Sequence, residues 1–176
     1  MLSARGARRL KPLLDGLLDP ARISARIEHD PVRIPRRFAD PRDAEVAGLL
    51  AACLAYGKAE LFLARLEALF AHIGPRPAQF AAQFDPSVHR EFFGRFVYRF
   101  NVGADVASLV SAAGGMLRRH GGLEAPLAGA LERRGGLREA LADWVSELKA
   151  AIDPRVASVL GPPRAMNHLL PDPLLG

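Results

Sequence analysis

The stretch DPRDAEVAGLLAACLAYG, residues 40–57, reads as one helix with a marked start and stop. Asp40 suits the N-cap, because its carboxylate can accept the free backbone N–H groups of the first turn. Pro41 suits the first helical position, where its missing N–H costs nothing. Asp43 and Glu45 place negative charge near the positive end of the helix dipole. Val46, Leu49, Leu50, Cys53 and Leu54 recur at spacings of three and four and make one apolar face. Gly57 is expected to close the helix in a left-handed conformation.

The same period extends in both directions. Leu10, Leu13, Leu14 and Leu17 predict a short helix over about residues 10–18 that docks on the core. Residues 30–41 read as a basic loop, cut by Pro31, Pro35 and Pro41 and carrying Arg33, Arg36 and Arg37. Downstream, helices are predicted over residues 59–73, 77–84, 87–96, 104–120, 123–133 and 137–152. Phe62, Leu66, Leu69, Phe70 and Ile73 face the core in the first of these. Trp144 belongs to the core with Leu141 and Leu148. The Gly114-Gly115 pair weakens its helix by roughly 1 kcal/mol per glycine but allows a neighbour to pack closely. Strand signals are nearly absent, with no Asn-Gly or Asp-Gly hairpin turn.

The expected fold is therefore all-α, an irregular bundle of about seven to nine helices. It divides into a basic N-terminal helix and loop (1–42), a helical core (43–160) and a Pro-rich apolar end (161–176). In that end, Pro162, Pro163, Pro171 and Pro173 interrupt the chain. Leu169, Leu170, Leu174 and Leu175 have no helix to join. The expectation is an N-terminal part of a larger helical fold, with apolar surface left exposed around these leucines.

The chain has 176 residues, of which 49% are hydrophobic and 24% charged, enough to bury a core and to exclude wholesale disorder. No stretch approaches the ~20 apolar residues of a membrane-spanning helix, so no membrane partner and a cytoplasmic location are expected. Residues 1–11 are basic like an organellar transit peptide, but they lack the apolar run of a secretory signal. The single cysteine, Cys53, excludes an internal disulfide and a cysteine zinc cluster. The net charge of +5 is uneven: residues 1–42 hold ten Lys or Arg against five Asp or Glu, and the remainder holds fourteen of each. One reading is compositional bias, since only Lys11, Lys58 and Lys149 are lysine. The other is a basic arm that meets phosphate.

Signatures of known chemistry are missing. There is no phosphate-cradling Gly-x-x-x-x-Gly-Lys-Ser loop and no Gly-x-Ser-x-Gly elbow. His29, His72, His89, His120 and His168 show no helical metal spacing, so neither a metal nor a cofactor is expected. Asp43 and Glu45, two apart on a helix, point to different faces and make no acid–base pair by themselves. Tyr56-Gly57-Lys58 reads as a helix C-cap or as a contact surface for a phosphate or a partner. Phe96, Tyr98, Arg99 and Phe100 interleave aromatics with a cation. Such a segment belongs to a core with a snorkelling Arg, or stacks on bases. The nucleic-acid candidates are Arg33, Arg36, Arg37, Lys58, Tyr98 and Arg99. No catalytic residue is assigned, and this chain alone is not expected to be catalytic.

The segment from Asp43 through Glu45 to Tyr56-Gly57 resembles the hallmark N-terminal motif of a bacterial family of uncharacterised proteins, domain of unknown function twenty-four hundred. Phe96-Val97-Tyr98-Arg99-Phe100, followed by an Asp-containing helix at Asp105, resembles it too, as does His168-Leu-Leu170-Pro171. In that family the Leu-Leu-Pro segment leads into a basic, aromatic stretch. A Pro-Leu-Asp-Thr-His motif follows it, similar to a segment of helix-hairpin-helix DNA glycosylases. The resemblance implies an all-α fold distantly akin to those repair proteins. Both downstream motifs are absent here, and Lys58 stands where arginine is common. Two functions follow as expectations. One is a nucleic-acid-associated protein of which this is a part. The other is a non-catalytic helical module that binds a protein partner or the remaining part of the same protein.

Overall fold

The computed structural model describes residues 4–174. Leu175 and residues 1–3 of the basic N-terminal stretch lie outside the described residues. The architecture is an all-α irregular bundle. Its elements are α1 (Ala4–Asp15), α2 (Pro20–Ile27), two 3-10 turns (Pro31–Arg33 and Pro35–Arg37), α3 (Pro41–Leu54), α4 (Ala59–Ile73), α5 (Pro77–Ala82) and α6 (Arg90–Arg95). A short hairpin follows, β1 (Val97–Tyr98) and β2 (Asn101–Val102). Then come α7 (Gly103–His120), α8 (Glu124–Arg134), α9 (Leu137–Ala150), α10 (Arg155–Leu160) and α11 (Met166–Leu169).

α7 is the axis of the core. Val106, Ala107, Leu109, Val110, Ala112, Ala113 and Met116 have no exposed surface, so this helix is buried nearly all round rather than along one stripe. It packs against α3, α5, α6, α9, α10 and α11. Its small residues make that possible, because a Cβ at Gly114 would fall well inside contact distance of the Ala81 carbonyl in α5. The expected close packing at the Gly114-Gly115 pair is thus present. α3 and α4 bury the expected faces, with Val46, Leu50, Leu54, Leu66 and Leu69 at the centre. Asp40 caps α3 by accepting from the Arg42 N–H at 2.9 Å. The Trp144 indole is half-buried and donates to the Leu123 carbonyl at 2.9 Å.

Several expectations are corrected. α1 begins at Ala4 rather than near Leu10, and its leucine face does not dock on the core: Leu13 is 68% exposed and Leu14 56%. The basic loop contains the two 3-10 turns, which Ile34 pins to the core with no exposed surface. α3 ends at Leu54, three residues before Gly57. Residues 166–169 form a helix, and Leu169 and Leu170 are buried, so of the described leucines in this end only Leu174 is exposed.

The hairpin is a feature that the turn signals missed, as they missed α2 and α10. Val97 pairs with Val102 and Tyr98 with Asn101, so Arg99 and Phe100 form a two-residue turn. Turns of this length need a positive φ to match the strand twist, and glycine or asparagine is the usual sign. Here Arg99 takes that conformation itself, with φ of 53°.

Candidate functional site

Residues from three distant segments meet on one surface. The Tyr56 ring stacks on Phe100, with centroids 5.3 Å apart and planes 15° from parallel. His168 meets both edge-on, 4.6 Å from Tyr56 and 4.4 Å from Phe100. Tyr98 lies beneath, 4.9 Å from Tyr56 and buried. Hydrogen bonds lock the two tyrosines. The Tyr98 hydroxyl donates to the Tyr56 carbonyl, and the Tyr56 hydroxyl donates to buried Asn101 Oδ1, with the Tyr98 carbonyl 3.2 Å away. Burial pushes the Tyr56 phenol up to about 12, so it stays a donor at neutral pH.

Gly57 lets the cation approach. Its φ of +88° is disfavoured for residues with a side chain, and a Cβ there would lie 3.0 Å from Arg99 Nη1 and 3.2 Å from the Tyr98 hydroxyl. Arg99 therefore lies over the Gly57 backbone and remains exposed, as does Lys58 beside it. Phe100 is 52% exposed. The surface is an aromatic platform with Arg99 at its edge and the exposed Lys58 next along the chain. Tyr98 supports the platform from below rather than presenting a face to a ligand.

The other sequence candidates lie elsewhere. Arg33 and Arg37 both pair with Glu67 of α4, which ties the 3-10 turns to the core. The hydrogen bond from Arg37, reinforced by Arg33, lowers the Glu67 carboxyl to about 2. Arg36 is exposed. A cleft of about 650 Å³ is lined by Arg37, Arg42, Arg76 and Arg118 together with Asp40 and Asp43.

The family-motif acids have structural roles that the sequence did not reveal. Asp43 is buried and accepts from the Ala78 N–H at 2.7 Å, capping α5. Glu45 accepts from the Leu123 N–H at 2.6 Å, at the start of α8. The two point to different faces, as expected, but each serves a neighbouring helix rather than only its own dipole. Leu170 is buried and Pro171 is exposed at the edge of the core. The Cys53 thiol donates to the Leu169 carbonyl at 3.2 Å, and burial pushes it up to about 12, which makes it a structural group.

A histidine pair escaped the spacing argument because its members lie on separate elements. His72 Nε2 is 3.1 Å from His89 Nδ1. His72 also stacks on Phe92 at 3.9 Å, and His89 on Phe84 at 5.6 Å. Among the described residues no third metal-type ligand joins them. Burial lowers both imidazoles from the usual 6.5, in His72 with help from His89 and in His89 against the pull of Asp85. Below pH 6.5 the unfolded chain binds protons that the folded pair resists. Stability is thus fully present above that pH and is lost as pH falls through the lowered folded values. Thermal unfolding between pH 8 and 5 is expected to show this loss, and a His72→Gln/His89→Gln variant to flatten it; equal slopes would contradict the assignment.

Fold and site together define a helical protein with an exposed aromatic and cationic patch built from its motif residues. The chain belongs to the family described as protein of unknown function (DUF2400), whose family model matches residues 30–174. No curated protein and no solved structure matches the chain. Among the described residues, no helix is long and apolar enough to cross a membrane.

Proposed function

We propose that this chain is a cytoplasmic nucleic-acid-binding protein that holds unpaired bases on the Tyr56–Phe100–His168 platform. The observation that carries the reading is the exposed face of Phe100, stacked on Tyr56 and bordered by Arg99. An aromatic face accepts any base, and stacking contributes about 1–3 kcal/mol per base. Arg99, over Gly57, and Lys58, next along the chain, supply cations for the sugar-phosphate backbone of a stacked strand, and among the described residues neither has a carboxylate partner. Arg36 and the cleft residues Arg42, Arg76 and Arg118 add cationic surface for further phosphates. Arg33 and Arg37, held by Glu67, contribute less.

The test is fluorescence anisotropy with a short oligothymidylate at two salt concentrations. Phe100→Ala is expected to weaken binding about tenfold, within the range for one stacked base. Arg99→Gln is expected to weaken it and to reduce the salt slope by about one phosphate contact. Both side chains are exposed, so the thermal midpoint should stay near that of the parent. Binding unchanged by either substitution, or insensitive to salt, would refute the assignment of this patch.

A further inference from the structure

We infer that α1 and α2 form a surface that lies flat on an anionic lipid bilayer. Leu10, Leu13, Leu14, Leu17 and Leu18 are 42%, 68%, 56%, 43% and 70% exposed, and Ile23 of α2 is 38% exposed. At 3.6 residues per turn, Leu10, Leu13 and Leu14 of α1 fall within an arc of about 100°, and Leu17 and Leu18 follow in the turn after it. Arg8, Arg9 and Lys11 lie outside that arc, and all three are exposed. On α2, Arg22 and Arg26 are exposed and flank the Ile23–Ile27 strip, about 100° round the helix from it. Over residues 4–27 the sequence has six Lys or Arg against Asp15 and Asp19. Of those acids, Asp15 is paired with Lys11 at 2.7 Å, and Asp19 is spent capping α2.

This combination selects the occupant. An apolar strip with cations on the opposite side and borders is the pattern of a helix in a membrane interface, where leucines enter the acyl boundary and Arg or Lys stems reach back to the headgroups. A nucleic acid would satisfy the cations and leave the leucines in water. A second copy would bring two cationic borders together. The anionic bilayer matches both features, and lying on a membrane needs no helix long enough to cross one. The segment also precedes residues 30–174, the part matched by the family model, so the inference is independent of the nucleic-acid reading.

The experiment is co-sedimentation of the whole chain with vesicles of phosphatidylcholine alone or with about one-third phosphatidylglycerol, at near-physiological salt. The expected result is binding to the mixed vesicles at least about tenfold above the neutral ones. Leu13→Glu/Leu14→Glu is expected to lose that binding about tenfold or more while keeping its thermal midpoint, because both leucines are exposed. Arg8→Gln/Arg9→Gln is expected to weaken it severalfold. No sedimentation with anionic vesicles would overturn the inference. So would a leucine variant that binds as well as the parent, which would mean charge adsorption alone. A stable dimer that the leucine variant abolishes would assign the face to a second copy and also overturn it.

Discussion

Asp105→Ala is expected to lower the stability of this protein by about 3–5 kcal/mol, a large share of the 5–15 kcal/mol available to a typical domain. Asp105 has no exposed surface and accepts three backbone N–H groups. One Oδ takes the Val102 N–H at 2.8 Å, which is the returning half of a capping box at the start of α7. Val102 has no polar side chain, so the other half does not exist. The second oxygen takes the N–H groups of Arg164 and Ala165, both at 2.7 Å, and holds the segment that leads into α11. Alanine would strand three donors, at roughly 1–3 kcal/mol for each that stays buried and unpaired. The 161–170 segment should then release from α7, taking Leu169 and Leu170 out of the core. Urea unfolding reads the stability, and Cys53 reports the release. Its thiol rests on the Leu169 carbonyl, so a thiol reagent should label the variant much faster than the parent. Asp105→Asn keeps one acceptor and should cost less. A loss below about 1 kcal/mol with Cys53 still protected would show that the segment is held mainly by its apolar contacts.

Gly114→Ala is expected to destabilise by about 2–3 kcal/mol, although alanine is the better helix former by roughly 1 kcal/mol. The added Cβ would collide with the Ala81 carbonyl, which is backbone and cannot rotate away. α5 is also anchored at that end, because the Arg118 guanidinium donates to the Ala82 carbonyl at 2.8 Å. Relief therefore requires α5 and α7 to move apart and to loosen the packing around Ala81, Phe84 and Ala113. The clash outweighs the helix propensity. Gly94→Ala in α6 is the matched control, since its Cβ would meet nothing within 4 Å. That variant should be neutral or slightly stabilised by propensity alone. Equal thermal midpoints for Gly94→Ala and Gly114→Ala would contradict the close approach of α5 to α7.

The sequence by itself determined the helices with long periodic faces. α3, α4, α7 and α9 follow from apolar spacing, and the start of α3 follows from Asp40-Pro41, because period and capping are local properties of the chain. Family membership was also legible, through motifs at Asp43 to Gly57, Phe96 to Phe100 and His168 to Pro171. The tertiary structure alone decided what those motifs do. Asp43 and Glu45 reach helices far along the chain, and their targets depend on how α5 and α8 pack. Arg33 and Arg37 read as free cations until the fold set Glu67 between them. The leucines of α1 carry the spacing of a core helix, yet Leu10, Leu13 and Leu14 stay exposed among the described residues. The hairpin at Arg99 had no turn residue to announce it; tight packing over Gly57 and the paired tyrosines hold a positive φ that the local sequence disfavours. The platform itself needed Tyr56, Phe100 and His168 to arrive from three separate elements. A long-range meeting of that kind leaves no trace in periodicity, because spacing records which face of a helix is buried and not what buries it.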